Sequence, residues 1–331
     1  MALHDTQYQH WQGRHVGIWS RRAVIAGQGL KSCLQVKWMR YIITLCWGGA
    51  LVQVVALFFL GQLLVADSIV VEWLSHLNPQ LQAIGRALTS WLEGHPEISV
   101  RTSFNLLFYY FSNSLMTFTM IAIALSIPHL ITRDLSSNAI IIYSSKALSR
   151  TDYLLGKFAT LLGLMVLTWL GPVCMAWFIG NLLSPNWHFF WHSRLALMHA
   201  VVFLGGSMVI LGVLALGVSA ISSSSKTTTS IWVGLWLVGN ALIPIAKETK
   251  PWLRNLSFSY DLEQMGLSVF QLKNDFQAAE QNIPLFGDMI RTIRERSRSA
   301  LEAPDLTGAL VGLGLMMAIC LVIVARKVKP E

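Results

Sequence analysis

The sequence predicts an all-α integral membrane protein in which a single transmembrane permease domain, residues 1–331, contains six spanning helices. Hydrophobic residues make up 54% of the chain and charged residues only 13%, a balance that is rare in soluble domains of this size. Six windows contain no Asp, Glu, Lys or Arg for about 20 residues or more, the length that a helix needs to cross a bilayer. These windows are residues 41–65, 104–131, 158–183, 195–221, 227–246 and 306–325.

The basic residues predict that both termini are cytoplasmic. With this orientation, the inner segments hold 14 of the 25 Lys and Arg residues but only four of the 17 acidic residues. This topological bias, together with contact with anionic lipid headgroups, accounts for the net charge of +8. We therefore do not expect nucleic acid as a partner.

Two segments outside the windows have a distinct character. Residues 15–40 alternate apolar and basic positions, which is typical of a helix lying along the inner membrane face; the alternative is a merely basic juxtamembrane tail. Residues 247–305 are long enough to form a small helical cap on the outer side. Within this outer loop, residues 289–301 form an arginine-rich run. The run is either a solvated helix face or a segment that attracts an anionic substrate or lipid.

The inner segment between the second and third windows, residues 132–157, is more apolar than a simple turn requires. Its apolar side chains favour a short helix lying across the membrane face and able to dock into a partner: Leu135, Ala139, Ile140, Ile142 and Tyr143. Further on, the hydroxyl of Ser149 can cap a new helix, and Asp152 can reach back from the third helical position. We therefore expect a defined start for the third spanning helix.

The stretch IPHLITRDLSSNAIIIYSSKALSRTDYLLGKF, residues 127–158, resembles the signature of permease subunits of type-2 ATP-binding-cassette (ABC) exporters. In that family a charged pair, a glycine, an apolar run and a segment similar to SxPxSRxxYLLGK link the second and third spans. Arg133 and Asp134 match the charged pair. The end of the pattern is matched by Ser149, Arg150, Tyr153, Leu154, Leu155, Gly156 and Lys157. Asn138 stands where glycine is usual, and Ala147 where proline is common.

The resemblance implies a multi-pass transmembrane subunit of an ABC exporter in the bacterial plasma (inner) membrane. Such a subunit forms the translocation pathway and couples to a separate ATP-binding subunit through its cytoplasmic loop, here residues 132–157. The residues expected at the ATPase-coupling interface are Arg133, Asp134, Leu135, Asn138, Ile140, Tyr143, Ser149, Arg150 and Tyr153. In this scheme the charged pair meets charges of the ATPase, and the apolar residues fill its cleft.

The resemblance also implies the partners. These are the ABC ATP-binding subunit, a second copy of the chain or a related permease, membrane lipids and, in larger assemblies, additional envelope proteins. ATP and Mg would be bound by the partner subunit, and we expect no cofactor in this chain. A phosphate-binding loop requires GxxxxGK followed by Ser or Thr, whereas Gly156-Lys157 is followed by Phe158.

The residues leave two other function classes open, a secondary carrier and a noncatalytic membrane scaffold. No Asp, Glu, Lys or Arg lies within a window, which argues against a proton relay, and we expect His129 and His199 to hydrogen-bond to neighbouring helices. His188 and His192 have a spacing that could hold a metal on a helix, but no third ligand is evident. We therefore predict that the chain is not an enzyme.

Overall fold

The computed structural model describes residues 17–63, 96–137, 149–184, 188–248, 251–275, 277 and 304–328, and this part of the chain contains helices but no β-strand. The helices are α1 Ile18–Leu34, α2 Lys37–Leu63, α3 Pro96–Ser126, α4 Ile131–Ser136, α5 Arg150–Met165, α6 Gly171–Leu182, α7 His188–Ile221, α8 Ser225–Glu248, α9 Phe258–Val269 and α10 Leu306–Lys327. Short 3-10 helices occupy Ile127–His129 and Pro251–Leu256, and a π-helical turn, Val166–Leu170, joins α5 to α6.

Five helical stretches in the described residues are long and apolar enough to cross a membrane, so the chain is a multi-pass membrane protein. They are Lys37–Gln62, Arg101–Ser136, Arg150–Leu182, Phe189–Ile221 and Leu306–Lys327. The predicted fifth window corresponds to α8, which is a 24-residue helix but is not among these five. Its first six residues are all polar, so its apolar part begins only at Ile231. The sixth span stays a prediction.

The N-terminal helix α1 lies alongside α5. The contacting pairs are Arg22 with Asp152, Ile25 with Gly156, and Leu30 with Gly163. Since both residue numbers rise together, the two helices run in the same direction. Gly156 permits this close approach, because a Cβ there would lie 2.7 Å from the Ile25 side chain. The segment predicted as an interfacial helix is thus helical, and one of its faces packs against the start of a candidate span.

The π-helical turn has a local cause. Gly171 donates its N–H to the carbonyl of Val166, and Pro172 has no N–H to offer to the next carbonyl, that of Leu167. The indole Nε1 of Trp47 in α2 donates to this carbonyl at 2.9 Å. A carbonyl freed by the irregular turn is thereby satisfied by a neighbouring helix, as a membrane-embedded backbone requires.

The core lies where α3, α5–α6, α7 and α9 meet. Trp169, Phe203 and Phe270 pack edge to face, with successive ring centroids 6.0 Å apart, and Tyr109 lies 5.7 Å from Phe270. These four side chains are almost fully buried. The first part of the predicted outer cap therefore belongs to the main core, because eight of the twelve residues of α9 are buried. Residues 289–301, the arginine-rich run, lie outside the described residues.

Candidate functional site

The third helix, α3, is interrupted close to its predicted inner end. Pro128 lies within the 3-10 turn Ile127–His129, and Leu130 has a non-helical conformation with ψ −108°. The chain restarts at Ile131 as the six-residue helix α4. This break separates the spanning part of the helix from the segment that the sequence predicts to dock into a partner.

A single serine of α7 satisfies the backbone groups that the break exposes. The Ser219 hydroxyl donates to the carbonyl of Ile127 at 3.0 Å and accepts from the N–H groups of Ile131 and Thr132 at 2.9 and 3.1 Å. The Thr132 hydroxyl donates to the Ser219 carbonyl at 2.8 Å and lies 3.4 Å from the hydroxyl of Thr228 in α8. The start of α4 is thus bound to α7 and lies against α8.

A second set of contacts ties α4 to α5. The ammonium of Lys157 lies 2.7 Å from the carboxylate of Asp134, and the Tyr153 hydroxyl donates to the same carboxylate oxygen at 2.7 Å. Lys157 also donates to the carbonyl of Leu130 at 2.9 Å. Tyr153 and Lys157 are one helical turn apart and so share a face of α5. We call Asp134, Tyr153, Lys157, Thr132 and Ser219 the junction.

The charges of the junction are nearly removed from water. The side chains of Lys157 and Asp134 are 10% and 13% exposed. Burial of charges is costly unless they are paired and hydrogen-bonded, and here the ammonium and the carboxylate each have a further hydrogen-bond partner. The ion pair therefore defines the position of α4 relative to α5.

The predicted start of the third spanning helix is confirmed. Ser149 is the N-cap of α5; its hydroxyl accepts from the N–H of Asp152 and donates to the Asp152 carboxylate at 2.5 Å. The same carboxylate accepts from Arg22 Nε of α1 at 2.6 Å. The helix begins at Arg150, eight residues before the uncharged window that opens at Phe158.

Arg150 connects the start of α5 to the end of α10. Its guanidinium donates to the carbonyl oxygens of Val324 and Ala325, in the last turn of α10, at 3.1 and 2.5 Å. A cation is favourable at a helix C-terminus because it meets carbonyl groups without an intrahelical partner. The start of α1, the start of α5 and the end of α10 are thus joined within a few residues.

These contacts show where the described interface residues lie, and their contact with an ATPase stays a prediction. Asp134 is bound within the chain, although the sequence predicted that it pairs with a partner charge. Tyr153 is buried, and Leu135 is half-buried against the main core. Arg133 and Ser149 are exposed, as an interface requires. The remaining predicted interface residues, Asn138, Ile140 and Tyr143, lie outside the described residues.

Sequence reasoning missed most of the junction. The sequence gives Lys157 no partner within the chain, and no pattern in it singles out Ser219. Tyr153 and Lys157 are one turn apart, and this spacing indicates a buried ion pair. A lysine facing the bilayer interior needs a buried partner. The serine is indistinguishable from other small residues of α7 by sequence.

A second polar cluster lies between α3, α7 and the residues that follow α9. The Nδ1 of His199 lies 3.2 Å from the Asn105 side-chain oxygen, which confirms that His199 hydrogen-bonds to a neighbouring helix. Asn105 donates to the Asp275 carboxylate at 2.7 Å, and Arg101 lies 3.5 Å from the same carboxylate. For His129, Nδ1 has no hydrogen-bond partner in the described part of the chain, and its bonding to a neighbouring helix stays a prediction.

Asp261 of α9 is a buried acid without a counter-ion among the residues the structure describes. It is fully buried, and neither carboxylate oxygen has a hydrogen-bond partner in this part of the chain. It faces Gly312 of α10, where a Cβ would lie 2.6 Å from its Oδ2. Burial raises the pKa of the Asp261 carboxyl to about 8, and the nearby charge of Asp305 acts in the same direction.

Comparison with family models and with curated proteins finds no match to this chain. Within the ranges that the structure describes, no group of three or more His, Cys, Asp or Glu residues is arranged to hold a metal ion. The side chains of His188 and His192 lie outside the described residues, so the metal spacing noted for them is not tested.

Proposed function

We propose that this chain is the transmembrane subunit of an ABC transporter of the type-2 exporter class, working beside a second permease chain and two ATP-binding subunits. The spans form the pathway, and the cytoplasmic segment 132–157 receives the movement of the ATP-binding subunits. The chain itself hydrolyses nothing; ATP and Mg are bound by its partner. Its six spans are about half of those in a complete exporter, which is why a second chain is required.

The junction is the single observation that supports this proposal best. A segment that transmits movement must be attached to the helices that it moves, since a loop linked only through its ends would absorb the displacement. Here α4 is bound to α7 through Thr132 and Ser219, and to α5 through Asp134 and Lys157. A displacement of α4 would therefore move at least two candidate spans.

The two ends of segment 132–157 support the same function. At its start, the broken helix at Ile127–His129 lets α4 change direction without leaving backbone groups unpaired. At its end, Ser149 fixes the first turn of α5, while Arg150 holds the last turn of α10. Force applied between these points acts on α3, α5, α7 and α10 together.

The deciding experiment is isolation of the tagged chain from its native membrane, with identification of the co-purified proteins and measurement of the mass of the complex. We expect an ATP-binding subunit with a GxxxxGK[ST] loop, two permease chains and ATP hydrolysis by the isolated complex. A complex with no ATP-binding protein would contradict the proposal. A single permease chain per complex would contradict its two-chain form.

A secondary carrier is the second candidate, and one observation favours it. His199, Asn105 and Asp275 form a continuous hydrogen-bonded chain inside the bundle, with a titratable group at each end. Titratable groups inside a membrane protein can mark the proton pathway of a carrier. Transport driven by a proton gradient in vesicles of the purified chain alone, without ATP, would favour the carrier.

A further inference from the structure

The first candidate span, α2, has one exposed apolar face. The exposed side chains recur at intervals of three, four and seven residues and therefore lie on one side of the helix. The side chains at these intervals are Trp38, Tyr41, Leu45, Val52, Val55 and Phe59, each between 45% and 70% exposed, and Leu51, 57% exposed, lies beside them. The opposite side, with Met39, Cys46, Ala50 and Leu57, is fully buried. We call the exposed set the α2 stripe.

The inner end of the α2 stripe is surrounded by positive charge. Lys31 in the last turn of α1, and Lys37 and Arg40 in the first turn of α2, are all exposed. Residues 17–63 contain no Asp or Glu. Within the described ranges, none of these three basic side chains has an acidic partner within 4.0 Å.

Two aromatic side chains lie among the basic residues at the start of α2, ahead of the aliphatic part of the stripe. The Lys37 ammonium is 5.8 Å from the ring centroid of Tyr41, and the rings of Trp38 and Tyr41 meet edge to face at 6.0 Å. Tryptophan and tyrosine prefer the level of the lipid headgroups, because one end of each ring system is apolar and the other can hydrogen-bond. Basic and aromatic side chains thus share the first five residues of α2, and aliphatic side chains of the stripe follow from Leu45.

We propose that Lys31, Lys37 and Arg40, together with Trp38 and Tyr41, bind the headgroup of an anionic phospholipid whose acyl chains lie along the α2 stripe. The three cations complement a phosphate bearing net negative charge, and the stripe complements hydrocarbon. A soluble acidic protein would meet the cations but leave the side chains from Leu45 to Phe59 uncovered. This inference does not depend on coupling to an ATPase.

A second copy of the chain fits this surface less well. A two-fold axis along the membrane normal would place the two basic clusters at the same depth and close together, where like charges repel. An anionic lipid headgroup neutralises the positive charge of this cluster. We therefore assign the surface to lipid and expect the contact between permease chains elsewhere.

The test is native mass spectrometry of the purified full-length chain in detergent, with phosphatidylglycerol or phosphatidylcholine added at equal concentration. We expect the wild-type chain to retain phosphatidylglycerol about tenfold better than phosphatidylcholine. The double variant Lys37→Gln/Arg40→Gln should lose this preference, since it removes two of the three cations. Because both side chains are exposed, we expect the variant to keep its fold. Thermal unfolding in the same detergent checks this.

The matched control is Lys226→Gln/Lys327→Gln, which removes the same charge from two exposed lysines at other helix ends. It should keep the preference for phosphatidylglycerol. An equal loss in both double variants would overturn the proposal, because the effect would then follow net charge alone. A change of oligomeric state in Lys37→Gln/Arg40→Gln, without a change in lipid retention, would assign the surface to a second copy and would also overturn it.

Discussion

Lys157 of α5 donates to the carbonyl of Leu130, the residue at which α3 breaks, while the same ammonium pairs with Asp134 in the helix that follows the break. One side chain therefore stabilises both the interruption of α3 and the new direction of the chain. Its position beside a glycine, Gly156, lets α1 cover the other side of the same helical turn. The charge is enclosed by protein rather than lipid.

Replacing Lys157 by Met should strongly destabilise the protein, because it leaves the Asp134 carboxylate buried without its counter-ion. We expect a loss of about 3–5 kcal/mol, measured by denaturant or thermal unfolding in detergent. The double variant Lys157→Met/Asp134→Asn should recover part of this loss. Arg133→Met, at the adjacent exposed position, is the control and should change stability by no more than about 0.5 kcal/mol. Equal effects of Lys157→Met and Arg133→Met would contradict the structure of the junction.

Changing both Ile140 and Tyr143 to Asp should release the ATP-binding subunit while leaving the spans inserted. Burying each large apolar side chain in a partner contributes roughly 1.5–3 kcal/mol, so the double change should weaken the complex about 100-fold or more. Co-purification of the ATPase with the tagged chain measures this. Ser149→Ala should cost about 1 kcal/mol at the start of α5 and leave the complex intact. Normal co-purification of the double variant would rule out this segment as the dock.

The inside-positive orientation can be checked by labelling single cysteines in a chain whose four native cysteines have been replaced. A membrane-impermeant maleimide added from outside should modify Glu280→Cys and not Lys226→Cys, because residues 247–305 are predicted to face outward. Labelling of both positions after permeabilisation is the control for reactivity. The reverse pattern in intact cells would invert the topology.

Asp261 should make the protein less stable as the pH rises. Its pKa in the folded protein is about 8, above the value of about 3.9 for an unfolded chain, so the folded state binds more protons between these values. The stabilisation of the folded protein by proton binding at Asp261 is complete below about pH 4. It is lost as the pH rises towards 8 and beyond. Thermal unfolding from pH 5 to pH 9 should show a steady decrease for the wild type. Asp261→Asn should flatten this part of the profile and be more stable at pH 9; an unchanged slope would show that Asp261 does not titrate in this range.

The sequence was sufficient for features determined by local composition or by short patterns. The apolar windows predict the spanning helices because length and charge decide whether a helix can cross lipid, and the Ser149 cap follows from residues three apart. The inward packing of α9 was not predictable, since its polar neighbours along the chain suggest a surface location. Contacts such as those of Ser219 with Thr132 join distant parts of the chain, and no local pattern identifies which serine of α7 is used.

The parallel packing of α1 and α2 against α5 and α6 has a consequence for biosynthesis. Arg22 and Asp152 are separated by 130 residues, and Trp47 and Leu167 by 120. At about 5–20 residues per second, the ribosome adds this length in roughly 6–26 s. During that interval α2 is already long enough to enter the bilayer, but the carbonyl that Trp47 will bind and the carboxylate that Arg22 will bind have not been made. Helices α1 and α2 must therefore wait for partner helices still to be synthesised, so chains that stop before residue 150 are expected to expose α1 to proteases and quality-control factors.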